Sequence, residues 1–138
     1  MWKKTSQNNN KTINFIKKQV IFNKDPLKEI STLDICKDNE ILAYGTSNGD
    51  INVLKFDFEN EGFEEIQVLS IHFKAITGLD LSDDHGILVS SSLDKSIRIW
   101  EFNKLVDKYT EIQQFYGHDS AVSGVKISED LTELYSSS

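Results

Sequence analysis

The chain has 138 residues, enough for one ordinary domain, with 38% apolar and 10% aromatic side chains. Acidic side chains outnumber basic ones 22 to 15, for a formal charge of -7, which disfavours a broad phosphate-binding surface. A single cysteine, Cys36, excludes an internal disulfide, and no stretch reaches the ~20 apolar residues of a membrane helix.

Residues 1–11 are polar and rich in Asn and Lys, which predicts a disordered tail. The opening MWKKTSQNNNKT has no apolar run of the kind a secretory signal needs. Trp2 stands alone there, as an exposed partner anchor or part of a poorly ordered terminus. Residues 12–24, with TINFIKKQVIF, are β-prone and read as an outer or closing strand. Pro26 then suits a strand boundary.

From residue 25 the sequence repeats at a spacing of 46, without a gap. Leu33-Asp34-Ile35 returns as Leu79-Asp80-Leu81 and as Val125-Lys126-Ile127. Ile30 returns as Ile76 and Val122, and Leu42 as Leu88 and Leu134. Ser47 to Leu54 aligns with Leu93 to Trp100, and Glu65-Ile66-Gln67 with Glu111-Ile112-Gln113. On the same period Val20, Ile21 and Phe22 align with Ile66, Gln67 and Val68. The units run over 25–70, 71–116 and 117–138, and the third stops early.

Each unit reads as four short strands. A first run (STLDI, ITGLDL, VSGVKI) is followed by a polar turn and a second run (ILAYGTS, ILVSSS, LYSSS). A tight turn at Asn48-Gly49-Asp50 or Leu93-Asp94-Lys95 leads to INVLKFDF or SIRIWEF. Asn-Gly between two such runs is a strong hairpin signal. A fourth run, FEEIQVLS or YTEIQQF, closes the unit. Only residues 105–115 have any helical spacing, and their alignment with GFEEIQVLS favours a strand. Four antiparallel strands per ~45-residue repeat describe a propeller blade.

The segment IHFKAITGLDLSDDHGILVSSSLDKSIRIWEF resembles a WD40 repeat over its whole length. YGHDSAVSGVKISEDLTELYSSS resembles the first half of another, with the family's Gly-His at Gly117-His118. The resemblance implies an all-β fold, an incomplete WD40 β-propeller of four-stranded antiparallel blades. Departures are visible. Ile71 replaces the Gly of Gly-His, and Glu101 follows Trp100 where the family has Asp. The first unit has Pro26, Tyr44, Asn48 and Leu54 where the second has His72, Ser90, Asp94 and Trp100, so it is a degenerate blade.

His72, Ser90 and Asp94 contain the ingredients of a nucleophilic triad. The resemblance implies instead a structural relay, Trp100 to Ser90 to His72 to Asp94, in which each buried polar group satisfies another. Pairing the strands across Asp94-Lys95 places Ser90 opposite Trp100. In the third unit His118 and Ser136 take the same places without Asp or Trp partners, so His118 is expected to be held less firmly. His72, His85 and His118 lack metal-ligand spacing, and Asp83-Asp84 lack a calcium-loop ladder. No cofactor, metal or small-molecule substrate is expected. Cys36 reads as a small buried hydrophobe, and His85 as an exposed turn residue.

The function implied is that of a non-enzymatic scaffold mediating protein–protein contact within a larger assembly. The candidate partner-binding residues are Phe73, Lys74, Leu93, Lys95, Asp119 and Ser120, at the loops before each first strand and the hairpins between second and third. Two alternatives remain: a protein-contacting subunit of an RNA-processing ribonucleoprotein, and a non-catalytic propeller part of a larger enzyme or signalling protein. Partners are expected to be proteins or peptides rather than membrane or nucleic acid, in cytoplasm or nucleus. Two and a half blades do not close a ring, so a piece of a longer protein is expected, with self-assembly the lesser alternative.

Overall fold

The computed structural model describes residues 2–5, 14–17, 27–36, 40–83 and 86–138. Among these, all regular structure is β. The expectations that fall on Pro26, Val20 to Phe22, Asp84 and His85 lie outside the described residues.

A short hairpin comes first. Strand β1 (Trp2–Thr5) pairs antiparallel with β2 (Asn14–Lys17), with Thr5 opposite Asn14. Residues 2–5 therefore form a strand where a disordered tail was expected. Neither strand is hydrogen-bonded to a four-stranded sheet, and most of 12–24, where an outer or closing strand was expected, lies outside the described residues. Both four-stranded sheets already hold an outer strand of their own.

The first of these sheets has the order β3-β4-β5-β6, from Ile30–Cys36, Ile41–Thr46, Ile51–Asp57 and Gly62–Leu69. The second is β7-β8-β9-β10, from Ile76–Leu81, Ile87–Ser92, Ser96–Asn103 and Lys108–Tyr116. The third is the pair β11 (Gly124–Ile127) and β12 (Leu134–Ser137). Simple up-and-down order follows from short connections that leave consecutive strands adjacent. Residues 105–115, the only stretch with helical spacing, fall in β10 and the turn before it.

The sheets stack in series. Cys36, Ile41, Ala43, Ile51, Val53 and Leu69 of the first sheet pack with Ile76, Leu79, Leu81, Leu88, Trp100, Phe102 and Tyr109 of the second. Ile87, Val89 and Ile97 of the second pack with Val122 and Val125 of the third. β4 and β8 are buried along their whole length. Gly45 sits where this packing is tightest: a Cβ there would lie 2.5 Å from Ile76 Cβ.

Candidate functional site

The relay draws on two strands, a turn and a loop of the second unit. His72 lies in the loop before β7, Ser90 in β8, Asp94 in the β8–β9 turn and Trp100 in β9. The turn is tight because Lys95 takes φ +73°, and Lys95 N–H donates to Ser92 O at 3.2 Å. That geometry sets the register. Ser90 pairs with Arg98 and Leu88 with Trp100, so the expected placing of Ser90 opposite Trp100 is off by two residues. A three-residue loop, Leu93-Asp94-Lys95, is the reason. The Trp100 indole instead reaches Ser90 diagonally, within range of a long side chain on one sheet face.

All four residues meet. Trp100 Nε1–H donates to Ser90 Oγ at 3.0 Å. Ser90 Oγ lies 2.9 Å from His72 Nε2, and His72 Nδ1 lies 2.9 Å from Asp94 Oδ2. Because the indole can only donate, the Ser90 hydroxyl is left to donate to Nε2, which fixes the proton of a neutral imidazole on Nδ1. Asp94 Oδ1 accepts from Ser96 N–H at 2.9 Å and from Ser96 Oγ–H at 2.6 Å.

Electrostatics follow this geometry. Burial lowers the His72 pKa below its ordinary 6.5, against the opposing pull of Asp94. Burial alone raises the Asp94 carboxyl, but hydrogen bonds from Ser96, His72 and Phe73 outweigh it and hold it down at about 2. The pair is therefore neutral imidazole beside carboxylate. Ser90 is fully buried and His72 nearly so, so the hydroxyl has no open side on which a substrate would meet it. The arrangement is suited to tying a loop to a hairpin in a dry interior.

The relay also reaches the surface. Phe73 N–H donates to Asp94 Oδ2 at 3.1 Å, and Ser92 Oγ–H donates to Lys74 O at 2.9 Å. Phe73 is 82% exposed, and Leu93 is exposed beside it in the turn. The Phe73 ring therefore does not pack under its own loop. Lys74, Lys95, Asp119 and Ser120 are all exposed. Lys95 Nζ donates to Asp119 O at 2.6 Å, joining the second sheet's turn to the loop before the third.

Elsewhere the relay is incomplete. In the third unit His118 Nε2 lies 2.8 Å from Ser136 Oγ, at an exposed position. In the first, Tyr44, Asn48 and Leu54 occupy the relay places, and a different network forms. Thr46 Oγ–H donates to Asn48 Oδ1 at 2.6 Å, Asn48 Nδ2–H to Asp50 Oδ2 at 2.7 Å, and Lys28 Nζ sits 2.7 Å from the same oxygen. Gly49, at φ +98°, passes under the second unit, where a Cβ would lie 2.4 Å from His72 O. Cys36 is buried, its thiol 3.4 Å from Ser82 O and 3.5 Å from Asp83 O. Among the described residues no cluster of His, Cys, Asp and Glu has the spacing to hold a metal, and no helix is long and apolar enough to cross a membrane.

A second repeating device was not anticipated from sequence. Asp34 Oδ2 accepts from Leu81 N–H, and Asp80 Oδ2 from Ile127 N–H, both at 2.7 Å. Ser31 Oγ–H donates to Ile76 O at 2.6 Å, and Thr77 Oγ–H to Val122 O at 2.7 Å. Ser31 and Thr77 sit in bulges of β3 and β7, and a bulge re-aims its side chain. On the outer strands, Gln67 exchanges two bonds with the Tyr109 backbone, at 2.9 and 2.7 Å. The signal was present: Asp34 and Asp80 interrupt otherwise apolar runs at the repeat spacing.

Comparison with known proteins agrees with this architecture. Residues 63–101 match the family model described as WD domain, G-beta repeat. The match begins in β6 of the first sheet and ends in β9 of the second. No curated protein matches the chain. Among solved structures, a chain of a mitotic checkpoint complex aligns with a TM-score of 0.66 at 18% identity, covering 91% of this chain and 34% of that one. The β-propeller domain of Cps50 (Swd1) from Myceliophteria thermophila aligns with a TM-score of 0.56 at 19% identity, covering 71% of this chain and 28% of that one. The chain thus spans about a third of the length of the solved chains it resembles.

Proposed function

We infer, from a chain that carries a WD40 repeat within a row of β-propeller blades, that it works as a non-catalytic scaffold on which other proteins assemble. The observation that carries this reading is the Phe73 edge. An exposed aromatic ring stands beside exposed Leu93, and its backbone is fixed by Asp94. A large apolar side chain held in place before a partner arrives loses little conformational freedom on binding.

The contact surface on this reading is Phe73 and Leu93, rimmed by Lys74, Lys95, Asp119 and Ser120. Its partners are proteins or peptides within a larger assembly. The test replaces Phe73 and Lys74 by Ala in the full chain and measures partner capture alongside thermal unfolding. Capture is expected to fall by about tenfold or more, with the melting temperature nearly unchanged, since neither side chain is buried. A large loss of stability, or capture equal to the parent, would sink the assignment of this edge.

A further inference from the structure

The Asn48-Gly49 step in the β4–β5 turn has a chemistry of its own. Glycine has no side chain to shield its nitrogen, so the amide of a preceding asparagine is open to attack from it. In that step the Gly49 nitrogen bonds to Asn48 Cγ and the Cγ–Nδ2 bond breaks. The Gly49 N–H proton leaves with Nδ2 as ammonia. Water then opens the cyclic imide at either carbonyl, giving an aspartate at this position or its β-linked isomer. The net exchange is one water taken up and one ammonia released, with no oxidant or reductant. Asn48 is exposed, so water reaches it.

The folded turn holds every atom of that reaction in another bond. Gly49 N–H donates to Thr46 O at 3.2 Å. Asn48 Oδ1 accepts from Thr46 Oγ–H at 2.6 Å, and Asn48 Nδ2–H donates to Asp50 Oδ2 at 2.7 Å. Thr46 is fully buried, and Lys28 Nζ fixes the Asp50 carboxylate at 2.7 Å, so both anchors are themselves held. The Thr46 hydroxyl polarises the amide carbonyl, which taken alone would favour attack. Ring closure, however, requires the amide to turn onto the Gly49 nitrogen. That turn gives up the bonds to Thr46 and Asp50, and loss of the Gly49 proton gives up the third.

We propose that Asn48 is a deamidation site guarded by Thr46 and Asp50, closed while the β4–β5 turn is folded and reactive when it opens. The second unit has no counterpart, because Asp94 and Lys95 stand in the places of Asn48 and Gly49.

Conversion has a structural consequence. A Cβ on Gly49 would meet His72 O and Lys74 O, so the extra backbone atom of the β-linked isomer finds no room. The direct product sets a carboxylate where Nδ2 donates to Asp50, and like charges then face each other. His72 and Lys74 flank Phe73, so either product loosens the first hairpin from the loop that carries the exposed ring.

The test incubates the full chain at mildly alkaline pH beside a synthetic peptide of residues 44–52. Peptide mapping by mass spectrometry, with an enzymatic assay for β-linked aspartate, follows conversion at Asn48. The folded chain is expected to convert at least about tenfold more slowly than the peptide. Asp50→Ala should raise the rate several-fold in the folded chain and leave the peptide rate nearly unchanged. Asn60, which precedes Glu61, serves as an internal reference that stays intact. Asn48→Asp, which makes the direct product, should melt below the parent. If Asp50→Ala folds poorly, a urea series on the parent keeps the test decisive, since conversion should rise as the turn opens. Conversion of the folded parent as fast as the peptide, an Asp50→Ala rate equal to the parent's, or no rise across the urea series would each overturn the proposal.

Discussion

Phe73 N–H and His72 Nδ1 converge on one oxygen, Asp94 Oδ2, at 3.1 and 2.9 Å. The buried relay and the exposed edge are therefore joined through a single carboxylate, and Phe73 cannot leave its place without giving up its bond to the oxygen that also serves His72.

Removing that carboxylate should be costly. Asp94→Ala removes the acceptor of the buried His72 and Ser96 donors and of the exposed Phe73 N–H; with Ser96 Oγ still 3.1 Å from His72 Nδ1, the loss is expected to be about 1–3 kcal/mol. The expected outcome is a fall in melting temperature of roughly 5–10 °C for a chain of this size, measured by thermal unfolding. Asp94→Asn, which keeps one acceptor oxygen, should fall between the parent and Asp94→Ala.

Ser90 and Trp100 should be strongly coupled. Ser90→Ala strands the indole N–H and the His72 Nε2 lone pair, and is expected to cost about 2 kcal/mol. Trp100→Phe removes the indole donor together with packing volume. Once either is made, the other loses its polar component, so the double variant should be less destabilised than the sum of the singles by about 1 kcal/mol. Denaturant titration of the four-variant cycle measures this, and strict additivity would contradict a shared network.

Stability should decline in acid in two windows. The folded His72 pKa lies below the ordinary 6.5, so the folded chain binds fewer protons than the unfolded one just below pH 6.5. Its contribution is complete above that pH and is lost as pH falls toward the folded value. Asp94 adds a second window, between its ordinary 3.8 and about 2, where its contribution is lost as the carboxyl protonates. A melting-temperature profile from pH 8 to pH 3 should fall below pH 6.5, and His72→Gln should flatten the upper part.

The sheet stack can be loosened from its polar side. Asp34→Ala removes the acceptor for Leu81 N–H and Asp80→Ala that for Ile127 N–H; each should cost about 1–2 kcal/mol. Their effects should be local. Hydrogen exchange is expected to rise in β7 for the first and in β11 for the second, with the opposite junction unaltered.

Much of this was legible in the sequence because the repeat carries its own alignment. The 46-residue spacing marks the strands of the successive units, and His72, Ser90, Asp94 and Trp100 stand out at the positions the repeat gives them. The two-residue error in pairing Ser90 arose from a turn in which Lys95 takes positive φ, a conformation no Lys advertises. The Asp34 and Asp80 contacts were missed for a different reason. Periodicity assigns a residue to a face, but not to the neighbouring sheet's backbone, and a single Asp inside an apolar run resembles any edge-strand charge. The β1–β2 hairpin was missed because Trp2 to Thr5 is too short and too polar to register as a strand until its partner is known.

The most direct test of the account is residue-resolved hydrogen exchange at Phe73 N–H and Trp100 Nε1–H, in the parent and in Asp94→Ala. If the relay both stiffens the sheet and fixes the exposed edge, the two protons are protected in the parent, although Phe73 itself stands in solvent, and both lose protection together in the variant. Fast exchange of Phe73 N–H in the parent, or loss at one site with the other unchanged, would contradict it.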